Sequence, residues 1–519
     1  MQIFCRIAAI LFAGTALLAI VPAAIAEEVQ QWSIFEFSLR GPASGNPFAD
    51  VTLTATFTHA GQPPINVAGF YDGNGIYKLR FMPADQGKWR YQTKSNSPEL
   101  QGKIGTFDCV QPTAANHGPV AVKNTFHFAY ADGSPYFQIG TTCYGWTHEA
   151  DEMEHLTLQT LAASPFNKLR MCVFPLRYPS KRQLYPFERS GNAWDFTRFN
   201  PEFFQHLEKR VGDLRDLNIE ADLILFHPYE RATGFNSMTP AGDERYVRYL
   251  IARLGAYRNV WWSLANEYDL LKNKTTPDWD YLFKTIVAAD PYAHLRSIHF
   301  SQTMYNYTQP WVTHASIQNG SAVQDFGRAV LFRDVYNKPI VFDEVKYEGD
   351  VAERWGHLTP EEMTDEFWHA TIDGTYVGHS ETYGGDQNNW LSRGGKLLGK
   401  SPERIAFLKK IVDAAPATGI DPIDKWQNVH LGGKPGEYYL YYFGNEKPAD
   451  WLFDLPRRGI TAGMKFHVDI LDTWNMTITP VNQDFTLSQP GRYEVHAQGD
   501  AKLTLPQKPY LALRITVER

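Results

Sequence analysis

The chain has 519 residues, 43% hydrophobic and 21% charged, with a net charge of −7. That length exceeds what one core accommodates and suits two to four domains. The mild acidity and the lack of a basic stripe exclude nucleic acid as an expected partner, and the 14% aromatic content suits sheet-rich cores with some sugar-stacking surface.

Residues 1–26 read as an export signal. Arg6 is the only charge before Glu27, Ile7 to Ala24 is apolar, and Ala24-Ile25-Ala26 fits a small-x-small cleavage site, so cleavage is expected after Ala26. An uncleaved anchor helix is the alternative, since the run approaches spanning length. The mature chain is expected to be exported, periplasmic or extracellular, with no membrane contact after cleavage. Cys5 leaves with the signal. Of Cys109, Cys143 and Cys172, the last two close consecutive predicted strands; two buried thiols are expected there, with a bridge as the alternative.

Residues 27–112 alternate with the strand period. Trp32–Leu39, Val51–Phe57, Gly75–Phe81 and Gly87–Tyr91 are split by Gly, Pro and Asp-Gly turns, which predicts a small β-sandwich. Residues 113–125 read as a linker, on the turn-like stretch Gln111-Pro112-Thr113-Ala114-Ala115-Asn116-His117-Gly118-Pro119. From 126 to 401 strand and helix candidates alternate. The strands are Tyr136–Thr142, Lys168–Phe174, Ala221–His227, Val260–Ala265, Leu295–Phe300, Thr313–Gln318, Pro339–Asp343 and Gly374–Glu381. The helices are Pro201–Leu217, Asp243–Leu254, Asp278–Ala289, Phe326–Tyr336 and Pro360–Ile372, the last capped by Thr359. Eight β/α units in about 275 residues predict a (β/α)8 TIM barrel. A doubly wound open sheet is the rival, but no G-x-G-x-x-G follows a strand. Residues 402–519 return to strands, including Glu437–Phe443, Lys465–Leu471, Arg492–Ala497 and Leu511–Val517, and predict a second β-sandwich. The fold class is thus a multidomain α/β plus all-β chain.

Two segments carry the chemistry. Val260-Trp261-Trp262-Ser263-Leu264-Ala265-Asn266-Glu267 and Lys338-Pro339-Ile340-Val341-Phe342-Asp343-Glu344 are apolar runs that end in carboxylates 77 positions apart. Burying a carboxylate is costly, so its presence at the mouth of a buried strand points to function. In a parallel barrel the working groups stand at the carboxyl ends of strands. Glu267 ends strand four and Glu344 ends strand seven, well apart around the ring, so the two would face one another across a sugar.

This pattern resembles clan A of the glycoside hydrolases. Phe166-Asn167-Lys168-Leu169-Arg170, Asp343–Gly349 and the sandwich–barrel–sandwich layout look like a secreted bacterial group of that kind. The resemblance implies a retaining enzyme acting on an oligo- or polysaccharide, with Glu267 as acid/base, Glu344 as nucleophile and Asn266 on the sugar 2-hydroxyl. The clan often places His or Tyr after strand six and Trp after strand eight. This chain instead has Ser316-Ile317-Gln318-Asn319 and Glu381-Thr382-Tyr383, with Trp390 further on.

The other residues at the barrel mouth are candidates for substrate binding. Tyr144, Trp146 and His148 follow strand one and could form a stacking wall. Arg170 is expected either to hold Glu344 ionised or to serve as a structural ion pair. His227 and Tyr229 follow strand three and His299 ends strand five. Gln318 and Asn319 offer amides, and Glu381 and Trp390 follow strand eight. Asp343 reads as support behind the nucleophile, and Glu348 and Asp350 as a solvated loop. No metal or other cofactor is expected: His227, His299, Asp343 and Glu344 could in principle gather at one mouth, but H-E-x-x-H and a tight His pair are missing. No G-x-S-x-G elbow exists either. The alternatives are a non-catalytic carbohydrate-binding barrel and a metal-dependent hydrolase.

Overall fold

The computed structural model describes residues 27–318, 326–352, 354–385, 389–426, 428–499 and 501–518. The export segment and Asn319 lie outside the described residues.

Eight parallel strands form the centre: β1 (Gly140–Thr142), β2 (Lys168–Cys172), β3 (Glu220–Phe226), β4 (Val260–Ala265), β5 (Arg296–Ser297), β6 (Ala315–Gln318), β7 (Ile340–Glu344) and β8 (Tyr376–His379). Their order is β5-β4-β3-β2-β1-β8-β7-β6. A (β/α)8 barrel results, nearly closed. At the remaining seam β5 meets β6 through the single bridge His299–Ser316. The Thr313 amide donates to the Arg296 carbonyl at 3.0 Å, and Ser297 Oγ to the His314 carbonyl at 2.6 Å. Strands β2, β3, β4 and β7 are buried at every position. Helices cover them outside and side chains fill the ring inside, which is why they are largely apolar, with a few charged residues paired inside the ring.

Among the described residues, seven longer helices surround the ring: α1 (Asp151–Ala162), α2 (Pro201–Asp216), α3 (Pro240–Leu254), α4 (Thr276–Ala289), α5 (Phe326–Tyr336), α6 (Pro360–Ile372) and α7 (Ser401–Asp413). Helices α1 and α7 were not among the expected elements. Thr359 caps α6 as expected, and Glu362 reciprocates to complete a capping box. No described helix lies between β5 and β6.

The lower barrel is polar at its centre. Lys168 Nζ donates to Asp222 Oδ2 at 2.9 Å and to Asp343 Oδ1 at 2.8 Å, and Ser316 Oγ donates to Asp343 Oδ2. Beneath them a small antiparallel sheet closes the amino-terminal opening. Its strands are Val120–Lys123, His127–Tyr130 and Pro135–Tyr136, so the span 113–125, expected as a linker, contains its first strand. Phe128 and Tyr136 pack on Trp261 with ring centres 5.2 and 6.1 Å away.

Before the barrel, a five-stranded and a three-stranded sheet share one aromatic core, with Phe57 stacked on Phe81 and Phe35 on Phe107, each at 4.1 Å. A buried ion network joins them to the barrel wall. Arg80 contacts Glu208 at 2.9 Å and Arg253 reaches Asp72 at 2.7 Å, and Arg253 also pairs with Glu208. After the barrel comes a seven-stranded sheet with its own core. Tyr442 of that sheet donates to Asp365 of α6 at 2.6 Å and stacks on Trp368 at 5.4 Å.

Candidate active site

The carboxyl ends of the strands open into a cleft of about 530 Å³. Tyr144, Tyr229, Glu267, Gln318 and Glu344 line its floor and one side; Tyr347 and Trp355 after β7, Leu176 and Arg177 after β2, and Leu391 and Ser392 complete it.

Glu344 ends β7 and is only 4% exposed. Its contacts converge on one oxygen. Tyr144 donates a short hydrogen bond to Oε1. Arg170 Nη1 and Asn266 Nδ2 donate to the same atom at 3.3 and 3.4 Å, and His299 Nδ1 stands 3.9 Å from it. Among the described residues, no hydrogen bond reaches Oε2. Arg170 supplies a fixed charge. Burial works against that charge, but Tyr144, Asp343 and Glu344 more than offset it and hold its pKa high.

Glu267 follows β4 in an opposite setting. Burial raises its carboxyl pKa, and the nearby Glu344 raises it further, against hydrogen bonds from Tyr229, Gln318 and Ser301. The Gln318 bond, from Nε2 to Oε1, is 3.4 Å long. The backbone of Glu267 has φ +46°, a left-handed conformation that costs a non-glycine residue about 1–3 kcal/mol and recurs at working sites. One cleft therefore contains an acid biased toward its proton and a carboxylate braced by donors, the division that acid and nucleophile roles require.

Asn266 is fully buried. It accepts from Arg170 Nη2 and donates to Tyr229 and to Tyr144, the last at 3.3 Å, so it ties three cleft residues together. His299 is also fully buried, and neither of its ring nitrogens has a hydrogen-bond partner; burial drives its pKa down to about 4. It faces Glu344 from below.

Five other expected wall residues do not line the cleft. Trp146 points into the core and donates to Met171 Sδ at 3.3 Å. His148 sits behind β2, with Nε2 at 3.3 Å from the Cys172 carbonyl. His227 contacts the Phe174 carbonyl at 3.1 Å and lies flat under Tyr229 at 5.2 Å, so it supports the wall without reaching the surface. Trp390 donates to Thr141 Oγ1 at 2.9 Å inside the barrel. Glu381 turns away from the mouth and accepts from the amides of Leu398 and Gly399. Glu348, expected on a solvated loop, is fully buried beside it. In each case a local main-chain partner or an apolar slot captures the side chain, and residue spacing does not encode this.

The conceivable metal cluster of His227, His299, Asp343 and Glu344 is not assembled among the described residues, because Lys168 and Ser316 hold Asp343 and Phe174 holds His227. Cys109, Cys143 and Cys172 are free and buried. Tyr347, Trp355, Arg177 and Ser301 are cleft or site residues that strand-end reasoning passed over. Tyr347 lies three positions beyond Glu344 and was within reach of that argument; Trp355 arrives by a loop that folds back so that the Tyr347 amide donates to its carbonyl at 2.8 Å.

Comparison with known proteins bears on the same residues. Residues 122–405 match the family described as the apiosidase-like catalytic domain, and residues 28–96 and 426–516 match two families described as domains of unknown function. A crystal structure from Bacteroides vulgatus, provisionally described as a glycoside hydrolase, is 41% identical with a TM-score of 0.91, covering 95% of this chain and all of that one. A family 5 glycoside hydrolase from the same species shares the fold at 13% identity and a TM-score of 0.58, covering 77% of this chain and 93% of that one. No curated protein sequence matches the chain.

Proposed function

Because the chain belongs to the family of apiosidase-like catalytic domains, and is on that ground a glycosidase with a carbohydrate substrate, we propose that it cleaves a glycosidic bond with retention of configuration. Glu344 is the nucleophile and Glu267 the acid/base. The observation that carries this reading is the contrast within one cleft: Glu344 is gripped by Tyr144, Arg170 and Asn266, while burial and Glu344 push the Glu267 carboxyl toward its neutral form.

In the first step Glu344 attacks the anomeric carbon while Glu267 passes its proton to the departing oxygen, leaving a glycosyl ester. Oε2 makes the bond, since the donors occupy Oε1. Oε1 becomes the ester carbonyl, still held by Tyr144 and Arg170. In the second step Glu267, now ionised, takes a proton from water as it attacks the anomeric carbon, and Glu344 leaves as a carboxylate. The donors on Oε1 stabilise that leaving charge. Tyr144 thus supplies from the β1 end the contact that the clan often takes from strand six. Tyr229, Tyr347 and Trp355 offer ring faces for the sugar.

The family description makes an apiose-terminated glycan the first substrate to test, beside a panel of aryl glycosides. On a substrate that the native chain turns over, Glu344→Ala should lose activity and regain it with azide, and proton NMR should show the product anomer unchanged from the substrate. An inverted anomer would refute the retaining step, and undiminished turnover by Glu344→Ala would refute the nucleophile. Export follows from the sequence pattern of residues 1–26; a mature chain beginning at Glu27, read by terminal sequencing of the exported protein, is the expected result.

A further inference from the structure

Behind the cleft wall lies a second group of ionisable side chains that hydrolysis does not use. Glu348 comes from the segment after β7, His379 ends β8 and Glu381 follows it. All three are buried at 1% exposure or less. One carboxylate oxygen from each Glu and a ring nitrogen of His379 lie within 4.8 Å of one another. None of the three lines the cleft.

Three features distinguish this group from an ordinary acidic cluster. First, among the described residues no Lys, Arg or His forms an ion pair with either carboxylate. The amides of Leu398 and Gly399 on Glu381, and the amides of Lys400 and Ser401 with the Ser401 and Tyr383 hydroxyls on Glu348, orient the oxygens but bring no charge. Buried carboxylates without a cation are costly. Second, His379 Nδ1 is engaged with Thr141 Oγ1 at 3.1 Å, while Nε2 is buried with no hydrogen-bond partner. An imidazole held through one nitrogen with the other bare is the arrangement seen in metal-binding histidines. Third, position 399 is glycine. A Cβ there would lie 2.3 Å from Glu381 Oε2 and 2.5 Å from Glu348 Oε2, so the two oxygens converge on one point against the main chain, which only glycine permits.

We propose that Glu348, Glu381 and His379 bind one divalent transition-metal ion. One imidazole nitrogen and two carboxylates suit Zn²⁺ or Mn²⁺ better than Ca²⁺ or Mg²⁺, which prefer oxygen alone. The ion would join the segment carrying Tyr347, the end of β8 and the turn before α7, bracing the cleft from outside. Its role is structural, and it holds whether or not Glu344 is the nucleophile.

The test is calorimetric titration of the EDTA-washed mature chain with ZnCl₂ and MnCl₂, with CaCl₂ and MgCl₂ for comparison. The expected result is one Zn²⁺ or Mn²⁺ per chain, with affinity falling roughly tenfold or more in Glu381→Gln and His379→Gln and unchanged in Glu344→Ala. No uptake by the native chain at millimolar metal overturns the site, as does uptake that the folded Glu381→Gln and His379→Gln proteins retain. Should circular dichroism show those variants unfolded, native crystals soaked in MnCl₂ decide. Anomalous density among the three side chains supports the site, and density elsewhere or none refutes it.

Discussion

Glu267 combines a left-handed backbone with a carboxyl kept from full solvation, and both are local costs. Its folded pKa is raised above the ordinary value, so its favourable contribution exists below the ordinary carboxyl pKa and is lost as pH rises through the raised one. At neutral pH the ionised side chain therefore weakens the fold. Glu267→Gln should melt above the native chain at neutral pH, with the gap closing in acid; a lower melting temperature at neutral pH would contradict the assigned environment. Catalysis should show the same group as the alkaline limb of the rate profile, since protonated Glu267 is the active form for the first step. Tyr144→Phe removes one donor from Glu344 with little change of shape. A hydrogen bond to a charged group is worth about 1.5–3 kcal/mol, so kcat should drop roughly tenfold to a hundredfold with KM nearly unchanged, as steady-state kinetics would record. Loss confined to KM would make Tyr144 a substrate contact only.

Strands were legible in the sequence and side-chain directions were not. Six of the eight barrel strands lie within their expected spans, and β3 and β7 each exceed theirs by one residue, at Glu220 and Glu344, because strands buried on both faces are largely apolar and each run stops near the mouth. Helix α1 was missed for the converse reason: Asp151–Ala162 mixes acids and threonines with few apolar positions, so no stripe stands out. Helix α7 lies almost entirely in the stretch expected to form the second sandwich. Glu267 and Glu344 were legible because they terminate strands. His148, His227 and Trp390 were misplaced because the same strand-end logic cannot tell a ring that faces the opening from one that turns back to a carbonyl. Lys168 in β2 shows what inward-facing positions do for the fold. It sits between Asp222 and Asp343 with almost no exposure. Lys168→Met leaves two carboxylates unpaired in the core, which should cost about 3–5 kcal/mol and lower the urea midpoint. An unchanged midpoint would mean the aspartates take up protons at little expense.

At the scale of the whole molecule, burial of neutral histidines links stability to pH. Burial depresses His227 and His299 to about 4 and His148 and His314 to about 3. Each folded pKa is below the ordinary 6.5, so the unfolded chain binds protons first. Their contribution is fully present above about 6.5 and is lost as pH falls toward 4. The melting temperature should decline through that window, and His227→Gln should flatten the decline; a level profile from neutrality to pH 4.5 would argue against it.

The barrel is also uneven around its circumference. Seven of its joins are strand ladders, and the eighth, between β5 and β6, rests on one isolated bridge, the Thr313–Arg296 backbone bond and a few side-chain bonds. A hoop closed by so thin a stitch parts there, so deuterium should enter the Thr313 amide, which donates across it, before the amides of β3 or β4. His299 underlies Glu344, and Gln318 ends the strand beyond the stitch against Glu267. The weakest join in the wall thus lies between the two acids, and each parting there loosens the grip on both.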